Sequence, residues 1–237
     1  IGVPPGSAIK TIADLKGKRV GVISLASASY ADLKANLKIA GLAESDVTVV
    51  PVGAGARAAA ALKNDQVDAI DSYSDSFTVM KQNGVNLTLL PRPAQMSKLF
   101  SVTMVTSAAL LKSNPDLLAR FARAAYQGIL YTQMHPEAAL KLSFQEFPEL
   151  AGSAAPNGPE ARNTLEAMKI ALGDSIPSGN TDPKTWGNWL DIDNSRWEAL
   201  LAFAHETGQT EKRLIPAQVW DSSLMKAIFN FDRNKLP

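Results

Sequence analysis

The sequence predicts an α/β protein built on a largely parallel sheet, and three observations carry that prediction. Short β-branched runs alternate with helical patterns from Lys18 to about Thr106. Glycines or small polar residues stand where the runs end, and after Thr106 strand-like runs give way to successive helices. The runs are "RVGVI", "VTVVPV", "VDAI", "LTLL" and "SVTMVT", and the intervals between the early ones are long enough for the crossover helices that parallel strands require.

The run "RVGVI" is followed by "SLASASYADL", nearly bare of large side chains until Tyr30. Tyr30, Leu33, Leu37 and Ala40 then form one apolar stripe of a helix that stops at Gly41. Ser29 and Asp32 have capping-box spacing, so the segment reads as a strand-to-helix turn. A second such turn follows "VTVVPV", where "GAGARAAAALKNDQ" opens with two glycines and continues as an alanine-rich helix to about Asn64. A third strand end, "VDAIDSYSDS", is rich in polar groups. Ligands of open α/β sheets sit beyond the carboxyl ends of the strands, which makes these three ends a candidate pocket rim.

The helical part begins with "SNPDLLARFARAAYQGILYTQMH", where Asn114 stands at the cap and Pro115 at the first helical position. Leu118, Phe121, Ala125 and Ile129 form its expected apolar stripe. "HPEAALKLSFQEF", "GPEARNTLEAMKIALG" and "TDPKTWGNWL" repeat the opening, with "AGSAAPNGP" and "GNTDP" as loops. Trp197, Leu200, Leu201 and Ala204 form a further stripe closed by Gly208, and "PAQVWDSSLMKAIFNF" adds Trp220, Leu224 and Ile228.

Composition narrows the function classes. The 237 residues are 46% hydrophobic, enough for a substantial core. Lys and Arg number 24 against 23 Asp and Glu, so no net field favours nucleic acid, and no basic cluster is interleaved with aromatics. The absence of cysteine removes disulfides, thiolate metal sites and thiol nucleophiles. No apolar run approaches the length that spans a bilayer. His135 precedes a proline at a helix break and His205 lies in a last helical turn, so both have structural explanations. No phosphate-binding loop, nucleophile elbow or paired metal-ligand spacing is present, and neither a catalytic residue, a metal nor a cofactor is expected.

The binding candidates lie at the three strand ends. Hydroxyls of Ser27 and Ser29 at a helix start suit a sulfonate, carboxylate or phosphate oxygen, unless one of them is only the N-cap. Tyr30 could stack on a ligand or belong to the core. Gly53 and Gly55 allow close backbone approach, and Arg57 sits in a first helical turn where an anion would compensate its charge, its alternative being a solvated surface residue. Asp71, with Ser72 and Tyr73 after it, could hold a ligand amine or ring N–H; Asp71 could equally cap the next helix or pair with Arg57.

The phrase "IKTIADLKGKRVGV" resembles the entry to the second lobe of ABC-transporter solute-binding proteins, in the group that binds alkanesulfonates, taurine and thiamine pyrimidine precursors. "SASYADLKANLKIAGL", "ALKNDQVDAI", "VTSAALLKSNPDLLARFARAAYQG" and the tryptophan-bearing "WGNWLDIDNSRWEALLAFAHETGQTEKRLIPAQVW" resemble later landmarks of that family in order and spacing. The resemblance implies a type II periplasmic-binding-protein-like fold, with residues 8–105 as an α/β lobe (lobe two) and 106–237 as the helical C-terminal portion of lobe one. It implies a solute-binding component of an ABC importer, periplasmic, with a membrane permease as partner, that captures a small anionic or zwitterionic molecule between two lobes by hinge closure. Sulfonate, aromatic carboxylate and pyrimidine-like ligands all fit this description. The alternatives are an enzyme like the one that makes the thiamine pyrimidine, and the ligand-sensing domain of a receptor. Members of that family also begin with a further segment, on the order of 80 to 100 residues, and this sequence is expected to start after it.

Overall fold

The structure is a computed structural model that describes residues 1–100, 103–148, 158–173, 182, 185–186 and 192–236, the side chains of 97, 98 and 159 excepted. These residues form two compact units: Ile1–Leu99 with Leu201–Arg213, and Phe100–Leu200 with Leu214–Pro237.

The first unit is built on a five-stranded sheet. Its strands are β1 (Gly2–Val3), β2 (Arg19–Val22), β3 (Thr48–Pro51), β4 (Ala69–Ile70) and β5 (Thr88–Leu89), in the order β3-β2-β4-β1-β5. β2 runs parallel to both β3 and β4, whereas β1 is antiparallel to β4 and β5. The mixed α/β class follows as the sequence predicts. The addition is β1, a two-residue strand too short to carry any periodicity, held by long-range pairing of Gly2 with Ile70 and Leu89.

Three helices cross between the parallel strands: α1 (Ala28–Ile39), α2 (Ala56–Lys63) and α3 (Ser74–Gln82). Alternation along each strand sends neighbours to opposite faces of the sheet. Val20, Val22 and Ala69 pack with Ile12, Leu15, Leu33 and Leu37 on the α1 face. Ile70 packs with Ala58, Leu62 and Met80 on the face of α2 and α3. Gly21 lies between these neighbours because a side chain does not fit there: a Cβ atom would stand 2.5 Å from Ile70 Cδ1 and 2.9 Å from Val52 Cγ2. The sheet is therefore covered on both faces, which leaves its strand ends as the places where polar groups collect.

The second unit contains α4 (Ala108–Ser113), α5 (Pro115–Met134), α6 (Pro136–Glu146), α7 (Pro159–Gly173), the start of α8 (Asn194–Glu206), α9 (Pro216–Val219) and α10 (Met225–Ile228). Asn114 and Pro115 hold the N-cap and first helical positions of α5. The buried face of α5 differs from the expected stripe: Ala119, Tyr126 and Leu130 point inward, and Phe121 is 64% exposed. The chain's last segment selects that face. Tyr126 meets Phe229 and Phe231 edge-on at 4.9 and 5.6 Å, and Arg123 donates to the Ala227 carbonyl at 2.6 and 3.1 Å.

Three expectations change or fall outside the description. Thr103–Thr106, the described part of "SVTMVT", is exposed and pairs with no strand among the described residues. "PAQVWDSSLMKAIFNF" forms two short helices rather than one, because the chain leaves helical geometry at Trp220 (φ −118°, ψ 127°). Most of "TDPKTWGNWL" and of the loops "AGSAAPNGP" and "GNTDP" lies outside the described residues, although Trp186 is described and is buried beside Tyr126 and Leu130.

Candidate functional site at the strand ends

The chain leaves β2 through Ile23 and Ser24 and enters α1 with Ser27, not Ser29, at the N-cap (φ −88°, ψ 157°). Neither hydroxyl caps the helix. Ser27 Oγ donates to the Ser24 carbonyl at 2.6 Å and accepts the Ser24 N–H at 3.2 Å. Ser29 Oγ accepts the Ile23 N–H at 3.1 Å and lies 2.8 Å from Ser27 Oγ. Because the Ser27 proton goes to Ser24, Ser29 is the donor between the two. Both hydroxyl protons are thus committed within the turn, and Ser29 is buried. The capping-box spacing has another use as well: Asp32 accepts from Asn36 Nδ2 at 2.9 Å within the helix.

Tyr30 packs beside the α1-face core, and its hydroxyl donates to Glu44 while Lys34 Nζ sits 4.5 Å from its ring centroid. It is a half-buried surface tyrosine with its hydroxyl engaged.

At the end of β3, Gly53 and Gly55 both have positive φ. Gly55 combines φ 55° with ψ −119°, outside the left-handed well that other residues can enter. Its N–H donates to the buried Ser76 Oγ at 2.9 Å, which ties this turn to α3. Arg57 is exposed in the first turn of α2, and its stem lies against Gly53.

At the end of β4, Asp71 still belongs to the ladder, its N–H donating to the Gly21 carbonyl at 2.8 Å. Its side chain is 2% exposed, and Oδ2 has no hydrogen-bond partner; the same is true of the enclosed Ser72 Oγ. Asp71 does not pair with Arg57 and does not cap α3, whose N-cap position belongs to Tyr73 without a side-chain bond. Burial, and next the charge of Asp32, push its pKa up to about 7, while Arg92 acts in the opposite sense. Asp32 is itself raised by burial. The ring of Tyr73 is 47% exposed. Sequence reasoning named Asp71 and Tyr73 but missed Asp32 and Asn36; the available signal was a polar pair four residues apart on the inward side of α1.

A cavity of about 430 Å³ lies at the other end of the sheet, walled by Pro4, Pro5, Gly6, Lys18, Asp65 and Asp68. Lys18 and Asp68 precede β2 and β4, so this cavity faces away from the strand ends described above. Asp68 there is engaged by Arg19 at 2.7 Å.

The family model described as NMT1/THI5 like matches residues 1–139. The chain belongs to the NMT1/THI5-like family. Among similar proteins is the riboflavin-binding protein RibY of Chloroflexus aurantiacus, 28% identical over 180 residues that make up 75% of this chain and 50% of RibY. The chain therefore spans about half the length of that curated relative. A solved protein from Bordetella bronchiseptica RB50 shares the fold with a TM-score of 0.63 at 22% identity, over 96% of this chain and 69% of that one. The periplasmic aliphatic sulphonate binding protein SsuA from Escherichia coli does so with a TM-score of 0.57 at 18% identity, over 93% and 64% of the two chains. The desulfurization enzyme DSZB shares it more loosely, with a TM-score of 0.51 at 17% identity over 97% and 75%.

Within this NMT1/THI5-like chain the histidines keep to helix ends. His135 caps the junction of α5 and α6 with its ring 5.3 Å from that of Tyr131. His205 Nδ1 lies 3.4 Å from the Thr210 carbonyl. Among the described residues no group of three or more His, Asp or Glu could hold a metal ion, and no helix is long and apolar enough to cross a membrane.

Proposed function

We propose that this chain is the solute-binding component of an ABC importer, working in the periplasm with a membrane permease, and that it captures a small molecule at the carboxyl ends of β2, β3 and β4. The observation that carries the reading is the enclosed, unpartnered pair of polar atoms, Asp71 Oδ2 and Ser72 Oγ, at the strand end where open α/β sheets bind ligands. Residues 8–105 are proposed as lobe two and 106–237 as the helical portion of lobe one, with closure of the lobes on the ligand as the mechanism. Binding without covalent chemistry is favoured over an enzyme role: the chain has no cysteine, and its two histidines are engaged at helix ends.

Native mass spectrometry of the purified protein tests the reading. Capture of a molecule of a few hundred daltons, released on denaturation, is the expected result. A chain that carries nothing, and that no small molecule stabilises thermally, overturns it.

The family resemblance implies an anionic or zwitterionic ligand. One similar protein is named for riboflavin and another for aliphatic sulphonates, so the relatives span more than one ligand class.

A further inference from the structure

We infer that Asp71 and Asp32 form a pH-sensitive latch at the carboxyl ends of β2, β3 and β4: while Asp71 holds a proton these strand ends stay closed, and its ionisation opens them locally. The latch regulates the site proposed above; only that consequence rests on the solute-binding reading, because the titration acts on the fold whether or not a solute is bound.

Asp71 sits where a charge finds no compensation. It is 2% exposed, and Oδ2 has no hydrogen-bond partner. Ser72, next along the chain, leaves it unbonded, since Ser72 Oγ also lacks a partner. Among the described residues no Lys, Arg or His forms an ion pair with it. A lone carboxylate enclosed in this way is costly, so the folded chain keeps the proton on. Asp32, half-buried on α1 and held by Asn36 Nδ2 at 2.9 Å, adds a like charge, and Arg92, after β5, opposes it. The Ile1 amine opposes it too, but is a charge only in a chain that begins there; without it Asp71 holds its proton more firmly.

The place of Asp71 lets one proton act on three strand ends. Its N–H donates to the Gly21 carbonyl at 2.8 Å, which fastens the end of β4 to β2. Tyr73, two residues on, is the N-cap of α3, and Ser76 in the first turn of α3 accepts the Gly55 N–H at 2.9 Å, which fastens the turn between β3 and α2. Asp32 belongs to the helix that follows β2. A carboxylate that moves towards water therefore shifts the link from β4 to α3 and, through Ser76, the Gly55 turn. Below about pH 4 the closed and open forms both hold the proton. Between there and about 7 the open form releases it while the closed form keeps it, so closure weakens as pH rises, and above about 7 it weakens no further.

Hydrogen exchange of the purified protein, corrected at each pH for the chemical exchange rate, tests the latch with no solute added. Between pH 5 and pH 8 the protection of residues 69–76 should fall threefold or more in the wild type, and that of α5 (115–134) less than threefold. Asp71→Asn, neutral at every pH, should show a fall of less than threefold. Asp32→Asn removes the like charge, so its fall should be smaller than that of the wild type and should level off at a lower pH. A wild-type fall of less than threefold overturns the latch, as does a fall of threefold or more in Asp71→Asn or in α5. An Asp32→Asn profile that superimposes on the wild type also overturns it, and this variant decides should Asp71→Asn fail to fold. A chain that shows the expected falls yet captures nothing in native mass spectrometry keeps the latch and loses the solute-binding reading.

Discussion

A buried carboxyl makes folding depend on pH in a direction opposite to that of a salt-bridged one. The pKa of Asp71 is raised by burial from 3.8 to about 7. Below about pH 4 the folded and unfolded chains both hold its proton and no penalty applies. Between there and about 7 the unfolded chain releases the proton while the folded chain keeps it, so stability falls as pH rises. By pH 8 the accumulated penalty is on the order of 4 kcal/mol. Asp71→Asn should therefore raise the urea midpoint more at pH 8 than at pH 5; equal shifts at the two pH values would contradict the assignment. Asp68 works in the other sense, because the Arg19 guanidinium beside it holds its carboxyl below the usual range and its contribution is lost in acid. Backbone conformation sets a second constraint at this scale. Gly55→Ala forces a side chain into φ 55°, ψ −119° and puts a Cβ atom 2.9 Å from Val79 Cγ1. A loss of about 1–3 kcal/mol is expected, read by thermal denaturation. Asp71 and Gly55 were legible as candidates because polar groups and glycines after an apolar run signal a strand end. The partner of Asp71 was not legible, because Asp32 lies 39 positions away and has a local explanation as a capping residue.

Strands and helices show where local pattern suffices. β2 is readable because Val20 and Val22 alternate into the core, β3 because its β-branched residues form an unbroken run, and α2 because alanines dominate it and Asn64 ends it. Gly21 interrupts β2 for a reason no local pattern contains, the approach of Ile70 and Val52 from neighbouring segments. Gly21→Ala should overpack that contact and cost about 1–3 kcal/mol, measured by chemical denaturation. α5 was readable as a helix but not by its face. Tyr126, fully buried against Phe229 and Phe231, should cost about 3–5 kcal/mol when truncated to Ala. Phe121→Ser, at an exposed position, should move stability by less than about 0.5 kcal/mol. An apolar residue stood at either position, and only the packing partner distinguishes them.

For the molecule as a whole, ligand binding and stability are linked by mass action. A captured small molecule at 100 times its dissociation constant should stabilise the folded chain by about 2.7 kcal/mol. For a chain of this size that corresponds to a rise in Tm of roughly 5–10 °C, and thermal shift measurement checks it. Asp71→Ala should abolish the rise. The α/β class, the crossover helices and the turns at Gly41, Gly55 and Gly208 were within reach of the sequence, because alternation, periodicity and helix stops are short-range properties that each segment carries for itself; the family was within reach through the resemblance of whole phrases in order and spacing. The place of β1 in the sheet and the inward face of α5 were decided by tertiary structure. Each depends on which distant atom arrives within hydrogen-bond or van der Waals reach. The same holds for the carboxyl at the end of β4: its presence is written in the chain, and its enclosure beside Asp32, without a partner for one oxygen, comes from the fold that buries it.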